Sequence, residues 1–225
     1  GVVSPFGAGR EVFWESVSRG RSGVRAITEF DASRFPCMVA APVPAVSIED
    51  NPDLAARADP KRYSKASRIA VLAALEAWRD AGCRIAEPDA GVIVGSGAGG
   101  IDIGESQYRE FFTDSGKRVT PYAIPVSIVG MVSSEISIAL ELHGMSHVLS
   151  TGCTSSTDAI GYAAATIRSG EADVLLSGGV DACVTPGMVF GFSRMRAVST
   201  HYNDRPEQAS RPFDRTRDGF VMSEG

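Results

Sequence analysis

No stretch of this 225-residue sequence approaches the ~18 consecutive apolar residues that a membrane-spanning helix requires, and no basic start leads into an apolar middle as in a secretory leader. A basic surplus is missing too. Lys and Arg number 22 against 27 Asp and Glu, a formal charge of −5, which argues against nucleic-acid binding. Cysteine is sparse: the four at 37, 83, 153 and 183 show neither metal-ligand pairing nor a disulfide framework, so a reducing, cytoplasmic setting without a metal is expected. Short-period repeats and low-complexity segments are absent. What remains is a globular composition, 44% hydrophobic, ample for the core of one large domain or two small ones.

The apolar pattern predicts a short helix over Glu11 to Ser18, a Pro-rich loop with brief extended pieces from Phe35 to Pro60, and a long helix from Tyr63 to Ala81. On that helix Ile69, Leu72, Leu75 and Trp78 form a broad apolar face, and Gly82 stands where a C-terminal cap belongs. A buried strand follows at Ala90 to Gly95, then a Gly-rich loop, a polar helix to about Phe112, and a mostly helical stretch from Val126 to Leu142. Strands at Ser146 to Ser150 and Ala172 to Ser177 flank a helix from Thr154 to Ser169. Strands alternating with helices imply an α/β fold with a mainly parallel sheet covered on both faces. Both ends read as cut: the opening Gly1-Val2-Val3-Ser4-Pro5 resembles the end of a strand, and Phe220 to Gly225 a strand without a partner. A piece of a longer protein is therefore expected.

Cys153, in Ser150-Thr151-Gly152-Cys153-Thr154-Ser155-Ser156, is the candidate nucleophile. A strand ends just before it, Gly152 permits a sharp turn, and a helix begins at the thiol. The reactive form of cysteine is the thiolate, which the positive end of a helix favours by roughly 1 kcal/mol. Activation by this route is partial, so a base or a second polarising donor is needed. Cys37, Cys83 and Cys183 read as small buried hydrophobes.

Gly95-Ser96-Gly97-Ala98-Gly99-Gly100 formally satisfies the G-x-G-x-x-G dinucleotide pattern. A complete fingerprint also wants an acidic residue closing a second strand about twenty residues on, and Thr113 to Ala123 offers Lys117, Arg118, Thr120 and Pro121 instead. The glycines are read as a tight turn with close backbone packing.

Several blocks in order resemble a β-ketoacyl-carrier-protein synthase: Pro121-Tyr122-Ala123-Ile124-Pro125 with Met131, Thr151-Gly152-Cys153-Thr154-Ser155, and Gly170-Glu171-Ala172-Asp173-Val174 with Gly178-Gly179. Further on come Phe192, Arg196-Ala197-Val198-Ser199-Thr200, Ala209-Ser210-Arg211-Pro212-Phe213-Asp214 and Arg217-Asp218-Gly219-Phe220-Val221. The similarity covers nearly the whole chain and is closest to the elongating branch of fatty-acid and type II polyketide ketosynthases. It implies a thiolase-like fold of α-β-α-β-α layers, with residues 1–225 as the N-terminal ketosynthase domain, the first half plus the start of the second. Met145 after Gly144, where the family usually has proline, and Gly130 before Met131, where elongating relatives often carry asparagine, depart from the pattern.

The resemblance implies that Cys153 accepts an acyl group from the phosphopantetheine of an acyl carrier protein, its own N–H being one of two oxyanion donors. A malonyl carrier protein then loses carbon dioxide and its enolate attacks the Cys153 thioester. The family's paired histidines, its lysine and the second oxyanion donor lie beyond Gly225, and His143, His147 and His201 match none of them. No cofactor beyond carrier-borne phosphopantetheine is implied. Lys61, Arg62, Lys117, Arg118 and Arg196 match the basic patch that docks the acidic carrier protein. A dimer is implied, either a homodimer or a heterodimer with a chain-length-factor-like subunit, with the strand at Ser146 to Ser150 near its two-fold axis. The alternatives are a non-catalytic chain-length-factor-like subunit, or a thiolase or initiating synthase that uses acyl coenzyme A.

Overall fold

The computed structural model describes residues 1–55, 59–83, 89–113 and 115–225, so the expected loop from Phe35 to Pro60 lies partly outside the described residues, at 56–58. The chain opens with the hairpin β1 (Val3–Ser4) and β2 (Gly7–Ala8), then α1 (Arg10–Ser18). A second short antiparallel pair joins β3 (Arg25–Ala26) to β4 (Val39–Ala40). The expected loop also holds one helical turn, α2 (Pro52–Ala55), started by Asn51, whose carbonyl and side-chain oxygens accept the N–H groups of Leu54 and Asp53. The long predicted helix is α3 (Lys65–Asp80); Ser64 caps it by accepting the Ser67 N–H at 3.1 Å, and the Gly82 N–H closes the far end on the Arg79 carbonyl.

The central sheet is parallel, with β5 (Gly91–Gly95) between β6 (Ser146–Leu149) and β7 (Leu175–Gly179). Every residue of β5 is buried, as its continuous apolar run requires. Val92 and Val94 point to the face packed by α3 and α6 (Met131–Leu140), with Ile69, Leu75, Ile136 and Leu140. Ile93, on the alternate face, meets Ala159 and Ala163 of α7 (Ser155–Arg168). The predicted covering of both faces is thus realised. A separate core beneath α8 (Pro186–Arg194) gathers Cys37, Val39, Val189, Val198, Tyr202 and Met222.

Three expectations are corrected. The strand placed at Ala172 to Ser177 lies at Leu175–Gly179, because Gly91–Gly95 pairs with those residues and carries Gly178 and Gly179 into the ladder. The helix placed over Val126 to Leu142 is two: after α4 (Ile101–Thr113), α5 (Ala123–Ser127) stops where Ile128 turns extended (ψ 132°), and α6 restarts at Met131. The closing segment does have partners, through parallel bridges of Phe220 with Val198 and of Ser223 with Ala41.

The crossover from β5 to β6 runs over the α6 face and that from β6 to β7 over the α7 face, so the chain reverses direction beyond the C-terminal end of β6. Such a reversal point is where α/β sheets place their sites. The reversal needs close approach: a Cβ on Gly95 would overlap the backbone of Ser155 and Ser156, and one on Gly179 the Ser156 side chain. Gly95→Ala in the full-length protein is therefore expected to lower stability by roughly 3 kcal/mol or more. Thermal denaturation followed by circular dichroism measures this; an unchanged midpoint would contradict the packing.

Candidate active site

Residues between β6 and α7 are fixed by a local hydrogen-bond net. Gly152 adopts φ +70°, a left-handed conformation that favours glycine, and Gly152–Thr154 form a 3₁₀ turn before α7. The thiol therefore sits in this turn rather than at the first residue of the α-helix, a correction to the expected start at Thr154. Ser155 locks the turn: its Oγ accepts the Thr151 N–H at 3.0 Å, and its hydroxyl donates to the Gly152 carbonyl at 2.6 Å. Thr151 and Thr154 both donate hydroxyl hydrogens to Asp158 and hold its carboxyl below the usual range. Asp158 lies in the first turn of α7, where a negative charge is favoured, so thiol and carboxylate share one positive helix end.

Cys153 is exposed and opens on a cavity of about 200 Å³ walled by Gly95, Ser156, Gly179, Asp181 and Gly225. Asp181 closes the wall. Its carboxylate accepts the Ser96 hydroxyl at 3.0 Å, the Gly97 N–H at 3.1 Å and the Ala98 N–H at 2.8 Å, while its backbone exchanges two hydrogen bonds with Gly225. The Gly-rich loop thus presents its amides to an internal carboxylate, in the place a dinucleotide phosphate would need. The helix α4 does open straight after Gly100, yet the described residues from 113 to 123 contain no strand to complete the fingerprint. Asp181 escaped the sequence reading, although an acid just past Gly178-Gly179 at a strand end was a usable signal.

The expected docking residues occupy three segments. Lys61 and Arg62 form the turn before α3, Lys117 and Arg118 follow α4, and Arg196 follows α8 with φ +56°. Lys61, Lys117, Arg118 and Arg196 are exposed, whereas Arg62 leans inward, 3.6 Å from the buried Glu135. His143, His147 and His201 are all exposed, His201 beside Asp218. Among the described residues no cluster of His, Cys, Asp or Glu is arranged to hold a metal ion.

The other cysteines differ in environment. Cys37 is fully buried, and burial pushes its thiol up; Cys183 is pushed up to about 11 by burial and by the charges of Asp181 and Glu224. At neutral pH these two hold little thiolate. Iodoacetamide is expected to alkylate Cys153 faster than Cys37 or Cys183 by roughly tenfold or more, as read by peptide mass spectrometry over time. Equal labelling of Cys183 would contradict the site.

The family described as Beta-ketoacyl synthase, N-terminal domain, matches residues 1–225. The 3-oxoacyl-[acyl-carrier-protein] synthase 2 of Coxiella burnetii (strain RSA 493 / Nine Mile phase I) is 40% identical over 235 residues, covering 100% of this chain and 54% of its own length. Among solved structures, the ishigamide ketosynthase/chain length factor superposes with a TM-score of 0.87 at 28% identity, over 100% of this chain and 54% of that one. A beta-ketoacyl synthase from Burkholderia phymatum STM815 gives 0.84 at 26% identity, over 99% and 55%. The fold is thus the thiolase-like α/β fold of ketosynthases, and the chain spans about half the length of the curated relatives it matches. From the full-length family match and these relatives together, the chain belongs to the β-ketoacyl synthase family.

Proposed function

We propose that this chain is the nucleophile-bearing N-terminal domain of a cytoplasmic β-ketoacyl-carrier-protein synthase of fatty-acid or polyketide synthesis. The observation that carries this reading is Cys153: an exposed thiol on a cavity, in a rigid turn at the end of a parallel strand. In the first half-reaction the Cys153 sulfur attacks the carbonyl of an acyl-phosphopantetheine thioester. The phosphopantetheine thiol leaves with the proton, and the acyl group stays on Cys153. In the second, malonyl carrier protein loses carbon dioxide, the resulting enolate attacks the Cys153 thioester, and the Cys153 thiolate leaves, so the acyl chain, longer by two carbons, stays on the carrier protein. Covalent storage divides one hard condensation into two easier steps. The donors that stabilise the enolate belong to the part of the family's fold beyond Gly225, so the full condensation is the work of the longer protein.

Lys61, Arg62, Lys117, Arg118 and Arg196 dock the acidic carrier protein, a basic patch on a chain of net charge −5. Dimerisation through β6 is supported by its place at the sheet edge with Ser146 and His147 exposed; an identical chain or a chain-length-factor-like subunit would lie beyond it.

Full-length protein incubated with acyl carrier protein is expected to gain an acyl mass on the Cys153 peptide, and Cys153→Ala is expected to lose condensation by at least about 10³-fold. No adduct, together with a fully active Cys153→Ala, rejects the enzyme in favour of a non-catalytic partner subunit. Charge reversal at Lys61 with Arg118 is expected to slow acyl transfer from carrier protein by roughly tenfold and to leave transfer from a small thioester in place. Equal loss with both donors counts against the patch.

A further inference from the structure

On α6 the buried face carries Val132, Ile136, Ala139 and Leu140, and amid them one charge, Glu135, 1% exposed. Its Oε1 has no hydrogen-bond partner and is the atom 3.6 Å from Nη2 of Arg62, whose side chain is 40% exposed. The neighbouring Tyr63, itself buried, has a hydroxyl that favours the ionised Glu135 carboxyl. The Arg62 turn is pinned on both sides: Asp59 accepts the Lys61 N–H at 3.1 Å, and Ser64 caps α3. Arg62 is therefore a cation on a rigid turn, with its inner edge against the protein interior and its outer part in solvent.

Burying a carboxylate with an oxygen lacking a hydrogen bond is costly, and an apolar residue of similar size would pack α6 against α3 without that cost. The charge is explained by what it faces. We propose that Glu135 is a positioning residue for carrier-protein docking: from inside the helical layer it holds the Arg62 guanidinium in the orientation that meets the acidic partner. This rests on the docking role given to Arg62 above and extends it to a residue that never touches the partner. Burial pushes the Glu135 carboxyl up, with the nearby Asp59 acting in the same direction, while Arg62 and the Tyr63 hydroxyl pull it down. Arg62 is thus the charged group that favours the ionised form.

Steady-state acyl transfer by the full-length protein tests the inference, with acyl carrier protein and a small acyl thioester as alternative donors. Glu135→Gln keeps the shape but removes the charge. It is expected to raise KM for the carrier-protein donor about fivefold, with kcat and the small-thioester reaction held. Arg62→Ala is expected to raise the same KM, and the double variant to be no worse than Arg62→Ala alone, because the two act through one contact. Full additivity of the two effects, or an unchanged KM in Glu135→Gln, overturns the proposal. A lower KM also overturns it, since the carboxylate would then be screening Arg62 rather than holding it. If Arg62→Ala leaves KM unchanged, the docking role of Arg62 fails and the inference with it, whereas an effect of Arg62→Ala without one of Glu135→Gln removes the inference alone. Should Glu135→Gln not fold, Tyr63→Phe carries the test: a smaller rise in KM confined to the carrier donor is expected, and none overturns it.

Discussion

The site depends on one close approach, that of the first turn of α7 against the ends of β5 and β7. Gly95 and Gly179 leave no room for a side chain there, and Ser155 and Ser156 fill the space. With that contact made, the Gly152–Thr154 turn has nowhere to go but outward over the C-terminal edge of the sheet, and it takes Cys153 with it. Without it, α7 would stand off the sheet by the width of a methyl group or more, and the cavity beside the thiol would lose two of its walls.

The polar groups around the thiol organise backbone more than they supply chemistry. Ser155 locks the turn, Asp158 gathers two threonine hydroxyls, and Asp181 ties the Gly-rich loop to the end of β7 and to Gly225. Each carboxylate accepts hydrogen bonds from donors of this chain.

Much of this was legible in the sequence because the signals were local. The continuous apolar run at 91–95, the helical spacing of Ile69, Leu72, Leu75 and Trp78, and the Gly152-Cys153 step each dictate structure within a few residues. What escaped depends on pairing across the fold. The strand at Leu175–Gly179 was shifted because its register comes from β5, not from its own apolar residues. The helix over 126–142 hid a break because Ile128 and Val129 keep the apolar pattern while the backbone turns extended. Asp181 and Glu135 were passed over for one reason: each acts on groups 70 or more positions distant. For Glu135 a charge within an apolar period was the available clue.

The central claim is that the Gly152–Thr154 turn, locked by Ser155, sets Cys153 at the mouth of the cavity proposed above to receive an acyl group. A crystal structure of the full-length protein after reaction with an acyl thioester tests this most directly. The account predicts continuous density from the Cys153 sulfur into the space beside Gly95, Gly179 and Asp181, with the turn unmoved. An unmodified Cys153, with the acyl group bound to another residue or along a different face, would contradict it.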